Sequence, residues 1–316
     1  MNVQPRWMDA GSEVTDRMKK PAFPTGSILY DAILSRLFFV IGLSCLVFLL
    51  MIMVFLIIEG LPIFRTVRPG DFLFGTSWYP TYSPPQFGVA PLIVASLAVT
   101  LLASVFAIPL SLAVAVYLAE LANPTAKEII KPIVEIIASI PSVVIGFFGM
   151  VVVAPFLQNH FEIDTGLNMI NAAIMLAFMA VPTIASISED AISSVPTSLK
   201  EASYALGANR WQTIYHITVP ASLSGIWTAI ILGISRVIGE TMVVLMVAGG
   251  AGIIPTSIFD PIRPLTANIA AEMAEAPFHG DHYYALFAIG IILFIITMIF
   301  NIIADYLSNK YKFKEL

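Results

Sequence analysis

Leu37-Phe38-Phe39-Val40-Ile41-Gly42-Leu43-Ser44-Cys45-Leu46-Val47-Phe48-Leu49-Leu50-Met51-Ile52-Met53-Val54-Phe55-Leu56-Ile57-Ile58 runs for 22 residues without a charge. Coiled as an α-helix it is about 33 Å long, enough to cross the ~30 Å hydrocarbon core of a bilayer. It is too long for the apolar region of a secretory signal. Thirty-six mostly polar residues precede it and no small-residue cleavage site follows, so it is expected to remain as a first span. The rest of the chain has the same character. Hydrophobic residues make up 58% of its 316 residues, charged residues only 12%, and mean hydropathy is +0.87. Soluble domains carry about twice that share of charge. A bilayer accepts helices that are apolar on every side, provided that their backbones are satisfied internally.

Five more spans are expected over Val89–Leu118, Ile133–Phe156, Ala172–Ile187, Leu223–Ala248 and Ala285–Ile303. The fold class is therefore an all-α polytopic membrane protein with about six transmembrane helices. Pro109 and Pro141 interrupt the second and third spans and predict kinks around a cavity. Basic residues set the orientation. Twelve fall on one side: Arg6, Arg17, Lys19, Lys20, Arg36, Lys127, Lys131, Lys200, Arg210, Lys310, Lys312 and Lys314. Three fall on the other: Arg65, Arg68 and Arg263. Both termini of this multi-pass chain are thus expected in the cytoplasm. The organisation is a cytoplasmic tail (1–35), a first transmembrane helix (36–58), an extracytoplasmic loop (59–88), a helical core (89–308) with a cytoplasmic loop at 188–222, and a cytoplasmic tail (309–316).

Several classes are disfavoured. The net charge is −5 and no basic cluster is interleaved with aromatics, so no nucleic-acid partner is expected. Cys45 is the one cysteine, which rules out an intrachain disulfide. No G-x-x-x-x-G-K-[ST] loop occurs, so the chain is not itself an ATPase, and no Ser/His/Asp or Cys/His set points to catalysis within the spans. His279 and His282, three apart near Asp281, are weak grounds for a metal site, and none is expected. The loop Glu59–Gly88 holds Trp78, Tyr79 and Tyr82, as an interfacial aromatic belt or as a docking surface. Thr266–Ala276 reads as a short outer helix with Glu272 and Glu275 on a solvated or partner-facing edge.

Residues 196–207 read Pro-Thr-Ser-Leu-Lys-Glu-Ala-Ser-Tyr-Ala-Leu-Gly. Ser198 and Glu201 have capping-box spacing, and Gly207 suits a left-handed C-terminal position, so a helix of about two turns is expected between them. Ala202 and Ala205 give it a small-residue stripe for close approach. Glu201-Ala202-Ser203, three residues, Gly207, nine residues, Ile217, one residue, Val219-Pro220 resembles the cytoplasmic motif of permease subunits of ATP-binding-cassette (ABC) importers. Ser203 and Val219 are mild departures from Ala and Leu. The resemblance implies a type I importer permease fold and a coupling helix seated on an ATPase, with Ser198, Glu201, Ala202, Ser203, Gly207, Ile217 and Pro220 in the coupling loop.

Span five contains Arg236 and Glu240, four apart and so on one face if the helix is continuous. Charges there cost roughly 2.5–3.5 kcal/mol each on insertion scales, so they should face the bundle interior or a polar path. They read either as a self-neutralising pair or as an oxyanion path in which Glu240 holds the planar fork of Arg236. The segment R-x-x-G-E-T resembles the phosphate-specific permeases of the family. So do Ile140-Pro141-Ser142-Val143-Val144-Ile145-Gly146-Phe147-Phe148-Gly149 and His282-Tyr283-Tyr284-Ala285-Leu286-Phe287-Ala288-Ile289-Gly290, and together they look more PstC-type than PstA-type. The resemblance implies a substrate pathway at Arg236, Glu240, Thr241 and Ser142. It also implies as partners a second, PstA-type permease, two ATPases that bind ATP–Mg, and an extracytoplasmic phosphate-binding protein, with no cofactor in this chain and inorganic phosphate as cargo. Molybdate, tungstate or sulfate is the alternative cargo. A stand-alone secondary transporter is a rival from another class, disfavoured by the lack of an internal repeat. A membrane sensor without transport is a third.

Overall fold

A computed structural model describes residues 25–310. The basic residues Arg6, Arg17, Lys19, Lys20, Lys312 and Lys314 lie outside them. The chain divides into two units, one ending at Phe55 and one beginning at Leu56. Helix α1 (Thr25–Gly60) carries the first span, and within the first unit its residues from Leu37 to Phe55 are all exposed.

The second unit opens with a tight turn (Leu61–Arg65), a short helix α2 (Pro69–Phe74) and an antiparallel hairpin of β1 (Trp78–Tyr79) and β2 (Gln86–Phe87), with Trp78 opposite Phe87. Helix α3 (Ala90–Val116) follows and continues through a π-helical turn (Tyr117–Leu121). Pro109 lies within α3 and does not end it. Pro141 does end a helix. It separates α4 (Pro124–Ala138) from α5 (Ser142–Phe148), so the expected span Ile133–Phe156 is really Ser142–Phe161, through a π-helical turn (Gly149–Val153) and α6 (Ala154–Phe161). A proline supplies no N–H and pushes the preceding residue out of the helical region, which explains the break at Ser139–Pro141.

Helix α7 (Met169–Ser193) is nine residues longer than expected at Ala172–Ile187. The Asn168 side chain caps its start by accepting from the Asn171 N–H at 3.1 Å. Its far end continues past the apolar run because Glu189, 1% exposed, is paired with Lys127 Nζ at 2.6 Å and Lys131 Nζ at 2.5 Å from α4. Asp190 and Glu189 also hold the Lys131 ammonium above its ordinary range. After α7 come α8 (Thr197–Ala205), α9 (Arg210–Thr213), a π-helical turn (Ile214–Thr218), α10 (Val219–Ala221) and α11 (Leu223–Ile238). The segment Arg210–Ala221 meets α11 at 69°. Then follow α12 (Met242–Val247), α13 (Leu265–Glu272) and α14 (Asp281–Lys310). Among the described residues five helices are long and apolar enough to cross a membrane, six if the bent pair counts as one span.

Lipid is as apolar as leucine, so helix association here rests on close packing. The α3 face is Ala95, Val99, Ala103 and Ala107, the α7 face Ala173, Leu176, Ala180 and Ile184, and both are buried. Helix α11 packs on α7 through Gly233, where a Cβ would overlap the Ile184 side chain. A second cluster, with Phe72, Trp78, Phe87, Leu92, Leu265, Leu286 and Ile289, forms a cap at the hairpin end. Replacing Gly233 by Val should lower the stability of the detergent-solubilised protein by roughly 1–3 kcal/mol through overpacking. Thermal unfolding checks this against Gly42→Ala, which meets no atom within 4 Å of its new carbon and should unfold like the parent.

Candidate functional site

The loop from 194 to 222 is more firmly built than a connector. Pro196, in extended conformation, occupies the N-cap position of α8 and no side chain caps it, so the expected Ser198–Glu201 box is not formed. The helix starts two residues earlier than that box requires, which leaves Ser198 inside the first turn. The capping box stands on α9 instead: Asn209 Oδ1 accepts from the Gln212 N–H at 2.9 Å, and Gln212 Oε1 accepts from the Asn209 N–H at 2.8 Å. At the other end of α8, Gly207 has φ +85°. The Ala208 N–H bonds to the Ser203 carbonyl at 3.2 Å and the Gly207 N–H to the Tyr204 carbonyl at 2.9 Å, a Schellman termination.

Three contacts fasten this unit. The Ser203 and Thr213 hydroxyls, both buried, meet at 2.9 Å and join α8 to α9. Lys200 Nζ lies 2.6 Å from the Glu120 carboxylate at the end of α3, and the Arg210 guanidinium donates to the Glu120 carbonyl. Sequence reasoning used Lys200 and Arg210 only to set the orientation and did not find their contacts with Glu120, because nothing local links residues eighty or ninety apart. Glu201, Ala202, Tyr204, Ala205 and Leu206 remain exposed, Leu206 at 90%. Ile217 and Pro220 sit half-buried in the turn and in α10 that lead into α11.

Span five is not one helix. It stops at Ile238 and resumes at Met242, so Arg236 and Glu240 do not share a helical face and form no ion pair. Arg236 lies in the last turn of α11, where positive charge suits the carbonyl end of the helix. Its Nη1 donates to Thr183 Oγ1 on α7 at 3.1 Å. Glu240 instead takes the first amides of α12: its Oε1 accepts from the N–H of Met242 at 3.1 Å and of Val243 at 3.4 Å. Its backbone carbonyl accepts from the Thr266 hydroxyl of α13 at 2.8 Å. Thr241 is half-buried in the break, its hydroxyl 3.4 Å from the Gly239 carbonyl. Ser142 opens α5 directly after Pro141. Helices α5 and α12 run the same way, with Gly146 against Val243 and Met246 and Gly149 against Val247. The structure thus puts Glu240 and Thr241 in the break, sets Arg236 one turn before it, on a threonine, and leaves Ser142 at the start of the neighbouring α5.

At the hairpin end, Glu272 is not a solvated edge. Its carboxylate receives Trp78 Nε1 at 2.9 Å, Arg263 Nη1 at 2.6 Å and His282 Nε2 at 2.9 Å. Trp78 is only 2% exposed and so is no belt residue, whereas Tyr79 and Tyr82 are exposed and stack at 4.8 Å. Helix α13 is pinned further where the Leu265 N–H donates to Ser96 Oγ of α3 at 2.8 Å.

Comparison with known proteins agrees with this architecture. The chain is 40% identical over 263 residues to the probable ABC transporter permease protein YqgH of Bacillus subtilis (strain 168), covering 83% of this chain and 85% of that one. It is 35% identical over 260 residues to the phosphate transport system permease protein PstC of Mesorhizobium japonicum, covering 76% and 78%. The corresponding PstC of Haemophilus influenzae is 32% identical, covering 76% and 81%. Two solved structures share the fold: a bacterial alginate ABC transporter (TM-score 0.65, 16% identity, covering 92% of this chain and 99% of that one) and the MetNI methionine ABC transporter in an inward-facing form (0.55, 23%, 69% and 93%). Residues 107–313, which hold α8, the broken fifth span and Glu272, match a family model, and the chain belongs to that family, the binding-protein-dependent transport system inner membrane component, the permeases of ABC importers.

Proposed function

We propose that this chain is one of two permease subunits of an ATP-driven inorganic phosphate importer, paired with a PstA-type partner. Two ATPases would bind the α8 loops of the pair and an extracytoplasmic binding protein would deliver phosphate at the hairpin end. Both termini and α8 would lie in the cytoplasm. The observation that carries the reading is Arg236. It is the only basic side chain in the interior of any span, it stands beside a helix break, and among the described residues it has no acidic partner. The relatives named PstC supply the choice of phosphate over other oxyanions.

The physics of the site supports this. A bare oxyanion in a low-dielectric span needs a fixed positive partner. A guanidinium offers a planar fork of donors that matches two oxygens of a tetrahedral anion. Glu240, engaged by the amides of Met242 and Val243, shapes the break and leaves the fork of Arg236 for the cargo. ATP binding would draw the ATPases together and move α8. The Lys200–Glu120 pair would pass that motion to α3.

Arg236→Gln should reduce phosphate uptake by about tenfold or more, the scale of one charge-assisted hydrogen bond, without loss of complex assembly. Arg236→Lys should recover part of it, because an ammonium lacks the planar fork. Uptake and co-purification measured together check this, and parental uptake by an assembled Arg236→Gln complex would make Arg236 structural. Competition by molybdate, tungstate and sulfate identifies the cargo. Coupling is tested at Gly207, whose positive φ penalises any β-branched side chain. Gly207→Val should leave the protein in the membrane yet weaken ATPase association and uptake together. Orientation is tested in a Cys45→Ser background by Leu206→Cys, chosen because Ser203 is too buried to report. A membrane-impermeant thiol reagent should label Leu206→Cys in inside-out vesicles and not in intact cells.

A further inference from the structure

Serines and threonines in these helices mostly spend their hydroxyl proton on their own backbone. On α3, Ser96 donates to the Leu92 carbonyl at 2.9 Å, Thr100 to Ser96 at 2.7 Å, Ser104 to Thr100 at 2.7 Å and Ser111 to Ala107 at 2.6 Å. On α14, Thr297 donates to Leu293 at 3.0 Å. Thr183 on α7 is used differently. It follows Pro182, is half-buried, and its Oγ1 accepts from Arg236 Nη1 at 3.1 Å. Among the described residues its own proton meets no acceptor. A threonine hydroxyl has one proton to give besides its lone pairs, and a guanidinium has five N–H donors. The pair therefore presents several donors and a fixed positive charge, with no negative charge to match them.

That surplus has a chemical sense. The carboxylate that could have answered it, Glu240, is held by the α12 amides across the helix break. Arg236 is exposed and Thr183 half-buried, so the guanidinium and the hydroxyl beside it are open to an incoming group, and an anion with at least two acceptor oxygens would match both. We infer that Thr183 is a second binding residue for the transported oxyanion: its hydroxyl accepts from Arg236 and donates its proton to one anion oxygen while the guanidinium holds another. This rests on the reading of Arg236 as the cation met by phosphate. It adds a residue from a different helix, so that α7 and α11 must both be in place for the anion to be gripped.

The test uses the whole importer, with its ATPases, partner permease and binding protein, in proteoliposomes and limiting radiolabelled phosphate. Thr183→Val keeps the shape and removes the hydroxyl; Thr183→Ser keeps the hydroxyl and removes the methyl. The valine variant should lose about tenfold in uptake or more, with the serine variant within about twofold of the parent. Parental uptake by Thr183→Val, or equal losses in both variants, would overturn the inference, since shape alone would then account for Thr183. If the valine variant fails to co-purify with its partners, Thr183→Ala takes its place under the same criteria. In an Arg236→Lys background the valine change should cost about fivefold more. No added loss there would mean that the hydroxyl only steers the guanidinium and would also overturn the proposal. Arg236→Gln, run in parallel, separates the two claims. Parental uptake by Arg236→Gln removes the anion reading altogether, whereas loss in Arg236→Gln with none in Thr183→Val removes only the role of Thr183.

Discussion

Inside a bilayer a backbone that leaves the helix must find its hydrogen bonds within the protein, and span five leaves the helix at Gly239. What satisfies that break arranges the rest of the site. The Glu240 carboxylate takes the Met242 and Val243 amides, and the Thr266 hydroxyl takes the Glu240 carbonyl. Glu240 is thereby engaged and forms no ion pair with Arg236. Arg236 then has a neutral hydroxyl for a neighbour rather than a carboxylate, and among the described residues no acidic side chain pairs with it.

The element that supports the break is itself held from several directions. Helix α13 carries Thr266 near its start and Glu272 at its end. Glu272 gathers Trp78 from the hairpin, Arg263 from the loop before α13 and His282 from the start of α14. The Leu265 amide is bound to Ser96 near the start of α3. The far end of α3 holds Glu120, which grips Lys200 of α8. One continuous helix thus has the cap at one end and the exposed α8 loop at the other. Only the cap end is bonded to the element next to the break, through Ser96 and Leu265, and the Glu120 end reaches it along the length of α3.

Much of this was legible from the residues because it depends on near neighbours. Long runs without charge mark spans α1, α3, α7 and α14, and the Gly207 position anticipates its left-handed conformation. The Glu201-to-Pro220 spacing marks the importer family before any coordinate is seen. Local reading failed where a distant group changed the local answer. Hydropathy ends span four at Ile187, but Lys127 and Lys131 neutralise Glu189 and the helix runs on to Ser193. A Ser-x-x-Glu pattern suggests a box at Ser198, but Pro196 starts the helix earlier and the box forms at Asn209. Trp78 looks like a belt residue until Glu272, 194 positions away, accepts its N–H.

The sequence by itself determined the class of solvent, the number and rough extent of the spans, the coupling motif and the presence of a lone cation in span five. These follow from hydrophobic length, cap residues and spacing, which act over one or two helical turns. Only the tertiary structure decided that span five breaks between Arg236 and Glu240, that Glu240 serves backbone amides, and that Arg236 rests on Thr183. The four-residue spacing puts two side chains together only in an unbroken helix, and whether a helix breaks in a membrane depends on whether other helices supply the missing hydrogen bonds. Thr266 on α13, which donates to the Glu240 carbonyl, and Thr183 on α7, which receives Arg236, come from elements that meet only when the bundle is assembled.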